Sequence, residues 1–276
     1  MQACGLTETG LVRLHNEDRF LIDSALGLAA VADGMGGHLS GEIASSCALA
    51  ALARSLAAPS DNGSGDHDPD PDATEVDLRW DSISRLRSAV GEANAQLFQE
   101  NMARGLAEGT GMGSTLTGLQ FLPALGAIVA FHVGDSRLYR YRDGVLVQLT
   151  RDHTAYQLAL ESGATGALPP SNLLLQAIGP AADIAPDVLL HAVRAGDLFL
   201  LCSDGLHGWV PHAQIDALLA SAGADDLEAD CAGLLGLARR YASRDNVTAL
   251  LVRFDTVAAS HQNIPDAAAS DCVGPA

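Results

Sequence analysis

The stretch Leu28-Ala29-Ala30-Val31-Ala32-Asp33-Gly34-Met35-Gly36-Gly37 is an apolar run of strand length that ends on a carboxylate followed by glycines. A carboxylate at a strand end is held on a rigid frame. An adjacent glycine lets a backbone carbonyl come close to an ion. The same punctuation recurs at Leu198–Cys202, where the run leads into Ser203-Asp204-Gly205. Upstream, Phe20–Asp23 pairs in pattern with Leu28–Asp33 across a turn near Leu26-Gly27, which reads as a hairpin.

Outward from this hairpin, apolar runs of strand length alternate with helical stretches. Ser40–Leu56 reads as a helix with Ser40 as its N-cap. Asp77–Arg104 carries Ile83, Leu86, Val90, Ala93 and Leu97 on one helical face. Strands are expected at Ser114–Phe121, Ala124–Val133, Arg137–Arg142 and Val145–Leu149, with Asp143-Gly144 turning the last pair. A short helix at His153–Ser162 and an irregular segment at Gly163–Ala185 follow. Further strands are expected at Val188–Val193, Asp197–Cys202 and Val247–Phe254, with helices at Ala213–Ala220 and Leu227–Tyr241. Residues 59–75 are rich in Asp, Pro, Gly and Ser and read as a flexible acidic insertion. Residues 256–276 lack periodicity and read as a loose tail. The pattern gives one large α+β domain over residues 1–255, with sheets packed together and helices outside.

Formal charge is 16 basic against 34 acidic residues, −18 in all, and every basic residue is arginine. That balance disfavours nucleic acid and anionic membrane as partners. The apolar runs are too short to span a bilayer. The N-terminus lacks a basic region followed by an apolar stretch, so a cytoplasmic protein is expected. Five cysteines without a CxxC pair argue against a disulfide framework. Cys47 and Cys202 are expected in the core.

The acids that terminate strands call for a different explanation from those on a solvated face. Carboxylates converging on one point repel unless a cation neutralises them. Oxygen donors without a cysteine or histidine cluster select hard ions: Mg²⁺, Mn²⁺ or Ca²⁺. A single Asp-Gly pair is usually only a turn, so the order of several such points along the chain matters more. Arg13-Leu14-His15-Asn16-Glu17-Asp18, Asp33-Gly34-Met35-Gly36-Gly37, Gly113-Ser114-Thr115, Gly134-Asp135-Ser136-Arg137, Asp152-His153, Ser203-Asp204-Gly205 and Asp245-Asn246 together resemble the type 2C metal-dependent protein phosphatases, over about residues 5–255.

The resemblance implies an αββα sandwich of two antiparallel sheets flanked by helices. It implies hydrolysis of phosphoserine and phosphothreonine by water activated at a binuclear Mn²⁺ or Mg²⁺ centre. Carried over by position, Asp33 would bridge two ions, with the Gly34 carbonyl on the second and Asp204 and Asp245 on the first. Glu17 and Asp18 would bind metal directly or through water, and Asp135 with Asp204 would support a third, weaker ion. Arg13 would bind the substrate phosphate, where a guanidinium can pair with two oxygens. Eukaryotic members have a histidine where Met35 stands, and methionine cannot protonate a leaving alkoxide. His38, His153 or water remain as sources, with water ranked first. The bacterial stand-alone members that the chain resembles oppose serine/threonine kinases, so phosphoproteins, a kinase among them, are the expected partners of a monomer. The irregular 163–185 segment falls where the family carries a flap. The alternatives are a catalytically silent phosphoprotein-binding relative, against which Asp33, Asp204 and Asp245 are all present, and a Ca²⁺-binding protein, for which no EF-hand spacing appears.

Overall fold

Leu28, Ala30 and Ala32 pack beneath helices, whereas Ala29 and Val31 between them face a second sheet. Side chains of a strand alternate between its two faces, so an apolar run without alternation marks a strand covered on both sides. Leu198, Leu200 and Cys202 likewise face helices while Phe199 and Leu201 face the other sheet. Leu250, Val252 and Phe254 join the same middle layer. The computed structural model describes residues 1–36, 39–59, 75–222 and 226–257. Almost all of the expected acidic insertion and tail, and His38, lie outside the described residues.

One sheet has the order β1 (Gln2–Glu8), β11 (Val247–Phe254), β10 (Asp197–Cys202), β7 (Arg137–Arg142), β8 (Val145–Gln148). The other has β2 (Asp18–Asp23), β3 (Leu28–Met35), β5 (Leu116–Leu122), β6 (Ala127–Val133), β9 (Asp187–Ala192), with β4 (Gly113–Ser114) pairing to β3. All of these pairings are antiparallel. Helices α1 (Leu39–Ala57) and α2 (Glu75–Ala103) cover the second sheet. Helices α5 (His212–Ser221) and α6 (Leu227–Arg240) cover the first, aided by the short α4 (Asp204–His207). The expected stripe of α2 is in place: Leu86, Val90, Ala93 and Leu97 are buried and Ile83 is partly so. Four layers result, with a separate apolar core in each of the three gaps.

The sequence reading missed β1 and α4. Strand β1 has few apolar residues because it is an edge strand, only half-buried and paired to β11 alone. Pro123–Leu125 forms a 3-10 turn, so the strand expected from Ala124 begins at Ala127. The 153–162 helix shortens to α3 (Ala155–Glu161), because Thr154 caps it by accepting a hydrogen bond from Gln157 N. Cys202 is fully buried and Cys47 packs partly against the core. Both are free thiols.

A buried ion pair fastens β7 to β10. Arg142 donates from Nε and Nη2 to the two Asp197 oxygens at 2.6 Å each, and Asp197 also accepts from Arg194 N at 2.7 Å. Removing Asp197 would strip the buried Arg142 guanidinium of its forked carboxylate partner. Asp197→Ala is therefore expected to destabilise by about 3–5 kcal/mol, read as a lower denaturant midpoint. A loss under ~1 kcal/mol would show that the pair is not needed.

Candidate metal centre

The β2–β3 register sets Asp18 directly opposite Asp33 at one end of the second sheet. Asp33 is fixed through its backbone: its N donates to Thr115 Oγ1 at 2.9 Å, and its carbonyl accepts from Thr115 N at 2.8 Å. Its carboxyl is thereby free to face the gap between the sheets. Asp18 is buried, and its Oδ2 accepts from Ser203 Oγ at 2.6 Å and Thr248 Oγ1 at 2.7 Å. Both hydroxyls belong to the first sheet's end of the sandwich, so Asp18 ties the two sheets where the acids meet. Asp204 follows β10 and Asp245 precedes β11 at that same end. Asp135 sits between β6 and β7.

Close backbone approach explains three of the glycines. A Cβ on Gly34 would lie 1.9 Å from the Gly41 carbonyl, so any side chain there would force α1 away from the site. A Cβ on Gly41 would lie 2.8 Å from Glu17 Oε1 and 2.7 Å from the Gly34 carbonyl oxygen. The Glu17 carboxylate and the Gly34 carbonyl thus approach one spot. A Cβ on Gly205 would come within 1.8 Å of the Asn246 carbonyl, so α4 rests directly on the start of β11.

Several residues without an assigned role in the sequence reading hold these groups in place. Asn246 donates to the carbonyls of Thr9 and His15 at 2.9 Å each and accepts from Glu17 N at 2.8 Å, which pins the loop carrying Arg13. Arg137 makes a forked pair with Asp152, with Nη2 to Oδ2 at 2.7 Å and Nε to Oδ1 at 2.9 Å, bracing the turn after Asp135. His207, one turn after Asp204 on α4, donates from Nε2 to the Asp135 carbonyl at 2.9 Å. Burial pushes its ring pKa down to about 3, so it acts as a neutral donor. Asn246, Asp152 and Arg137 lie in motifs visible in the sequence, but His207 carries no sequence signal because its partner is distant along the chain.

Arg13 is exposed and pairs with Asp245 Oδ2 at 2.8 Å. Met35 turns its methyl end towards Gly113, where a Cβ would meet Met35 Cε at 2.6 Å. His153 is buried; its Nδ1 accepts from Gly134 N at 3.3 Å, and its Nε2 faces Asp187 Oδ2 at 3.2 Å. It is a structural residue rather than a group poised at the cleft. In the 163–185 segment, Asn94 Nδ2 donates to the carbonyls of Ala181 and Ala182, and its Oδ1 accepts from Gly179 N. That half of the segment is tied to α2, while residues 163–167 are exposed.

The electrostatics report the convergence. Burial, then the charges of Asp204 and Asp245, push the Asp18 carboxyl up to about 7 against two hydroxyl bonds that favour ionisation. Burial, then Asp18, Asp204, Asp135 and Asp245, hold Asp33 well above the usual carboxylate range. Asp135 rises to about 7 through burial and then Asp204 and Asp152. Asp204 rises to about 6 through burial and then Asp245, opposed by a hydrogen bond with Asp33. Among the described residues, no three histidine, cysteine or carboxylate side chains form a ready-made metal cage. The donors nonetheless fit a hard divalent ion: Asp18 Oδ1 and Asp204 Oδ1 are buried without a hydrogen-bond partner. An unpaired buried carboxylate oxygen is costly, and cations would satisfy these oxygens and relieve the mutual repulsion.

The family model for Protein phosphatase 2C matches residues 12–230. The chain belongs to the protein phosphatase 2C family. Serine/threonine protein phosphatase PstP of Mycobacterium tuberculosis is 34% identical over 89% of the chain, which spans only 43% of that relative's length. Serine/threonine phosphatase stp of Listeria monocytogenes is 31% identical, with 90% of this chain and 94% of that one covered. The solved catalytic domain of PstP in complex with two manganese ions is 32% identical, with a TM-score of 0.72 over 91% of this chain and 96% of that one. The antiparallel two-sheet α+β architecture of this 2C-family chain agrees with that likeness.

Proposed function

We propose that the chain is a metal-dependent protein-serine/threonine phosphatase that uses two Mn²⁺ or Mg²⁺ ions, with a third bound more weakly. The carrying observation is the meeting of Asp18, Asp33, Asp135, Asp204 and Asp245 from the ends of both sheets: burial and neighbouring charge, that of Asp245 included, raise the carboxyls of Asp18, Asp33 and Asp204, and burial with Asp204 raises that of Asp135. Asp33 would be shared between the ions, with the Gly34 carbonyl and Glu17 to hold one and Asp204 and Asp245 to hold the other. Asp18 would offer its unpartnered Oδ1, and Asp135 with Asp204 would hold the third ion. When bound, such ions activate a water and offset charge on the phosphoryl group.

The chain's own residues supply position and charge, which is most of what phosphoryl transfer requires. Arg13 stands at the exposed mouth of the cleft. Its pair with Asp245 is solvent-accessible and so weakly held. It can exchange that carboxylate for a phosphate dianion, with two parallel N–H···O bonds. Asp18 cannot swing away, because Ser203 and Thr248 grip it. His207 fixes the backbone of Asp135. Met35 cannot donate a proton and both ring nitrogens of His153 have partners, which supports water as the proton source for the leaving alkoxide.

Phosphate release from p-nitrophenyl phosphate and from a phosphothreonine peptide, with Mn²⁺ and with EDTA, tests this reading. Turnover is expected with the metal and none with the chelator; turnover indifferent to EDTA would exclude the mechanism. Arg13→Ala is expected to raise KM for the phosphopeptide about 10–100-fold, the worth of a charge-assisted pair, with Mn²⁺ binding kept. Unchanged kinetics would remove Arg13 from the phosphate site. The partners proposed are phosphoproteins modified by a serine/threonine kinase, and the chain is proposed to act on them as a cytoplasmic monomer. No helix among the described residues is long and apolar enough to cross a membrane.

A further inference from the structure

Five consecutive residues of the β1–β2 loop, Leu11 to His15, stand out into solvent, and three are bulky and apolar. Leu11 is 62% exposed, Val12 52% and Leu14 91%, and they bracket Arg13. In a loose loop this would mean little. Here the backbone is clamped on both sides: Asn246 binds the carbonyls of Thr9 and His15. Asn16 Nδ2 donates to Thr7 Oγ1 at 2.9 Å, and its Oδ1 accepts from Asp18 N at 3.1 Å. Gly10 has φ +74°, and its α-carbon lies so near the Asp245 carbonyl that a Cβ would fall 2.0 Å from the oxygen. The three apolar side chains are thus presented to water by a preorganised loop that cannot fold them away. Clustered exposed apolar groups of this kind mark a contact surface, and preorganisation lowers the cost of using it.

Their position names what covers them. Resting on the phosphatase reading, in which Arg13 meets the substrate phosphate, we infer that Leu11, Val12 and Leu14 form a platform for residues flanking the phosphorylated serine or threonine. The preferred substrates are extended segments with a bulky apolar side chain within one or two positions of the phosphate. Consecutive Cα atoms are about 3.8 Å apart, so the platform and the flanks of an extended peptide have matching reach on either side of Arg13. Acidic flanks are selected against, because a carboxylate set against Leu11, Val12 and Leu14 loses water without gaining a partner.

The test uses p-nitrophenyl phosphate and two phosphothreonine peptides of equal length, one flanked by Leu and Val, the other by Asp. Each is assayed with Mn²⁺ on the full chain and on the double variant Leu11→Ser/Leu14→Ser. For the unaltered chain, kcat/KM is expected to favour the apolar-flanked peptide by about tenfold or more, chiefly through KM, as half-covering a leucine or two implies. The double variant is expected to lose that preference while p-nitrophenyl phosphate turnover stays within about twofold. Equal use of both peptides by the unaltered chain, or a preference that survives in the variant, overturns the platform. So does a dimer that the double substitution dissociates with peptide preference untouched, which would make the loop a self-association surface. If the unaltered chain releases phosphate from none of the three, the phosphatase reading itself fails and the platform falls with it.

Discussion

Asp204→Asn is expected to lower phosphate release by at least about 10³-fold, roughly 4 kcal/mol of barrier, while leaving the metal-free protein as stable as before or more so. The two effects have one origin. Asp204 is buried near Asp245, and its carboxyl rises to about 6 because ionisation there is unfavourable without a cation. An amide keeps the shape and removes the repelling charge, so the empty cluster relaxes. It also lacks the anionic oxygen that the proposed ions need, so turnover goes. Asp33→Asn is expected to behave alike, since it faces Asp18, Asp204, Asp135 and Asp245 together. Assays with Mn²⁺ beside thermal melts in EDTA check both halves. Near-native turnover by a folded Asp204→Asn protein would sink the proposed ligand set, and a lower melting temperature in EDTA would mean that the carboxylate is structural.

Stripped of metal, the protein is expected to lose stability as pH rises from about 4 towards 8. Asp18 and Asp135 are raised to about 7 and Asp204 to about 6, from an ordinary value of 3.8. Between those values the folded state holds more protons than the unfolded chain, so unfolding becomes easier with increasing pH. The full stability contribution of the protonated groups is present below pH 4 and gone above about 7. Each unit of raised pKa is worth ~1.4 kcal/mol, and ~1 kcal/mol moves the melting temperature of a chain this size by about 2–4 °C. A drop of more than about 5 °C between pH 5 and pH 8 is therefore expected in EDTA. Saturating Mn²⁺ should cancel it, because ions that bind only the folded state stabilise it and hold the carboxylates ionised. A flat melting temperature in EDTA over that range would show that the acids do not share a desolvated cavity.

Much of this was legible in the chain before any folding. Apolar runs such as Leu28–Ala32 and Leu198–Cys202, each followed closely by an acid and a glycine, announced strands and the carboxylates at their ends. The α2 stripe likewise announced a core-facing helix. These are local signals, since side-chain periodicity and turn chemistry depend on near neighbours. Strand β1 escaped because an edge strand has little buried surface to record in its composition. His207 escaped because its partner is the backbone of Asp135, 72 positions away.

Sequence alone determined which residues carry charge and which strands they terminate. Tertiary structure alone decided that Asp18 and Asp33 stand in register and that Ser203 and Thr248 grip Asp18 across the sandwich. It alone decided that Asn246 clamps the Arg13 loop with its apolar flanks outward. The reason is physical: composition sets how a residue prefers to be solvated, whereas convergence requires two sheets to close on a shared core, and only that closure moves acids far apart in sequence into one water-poor space.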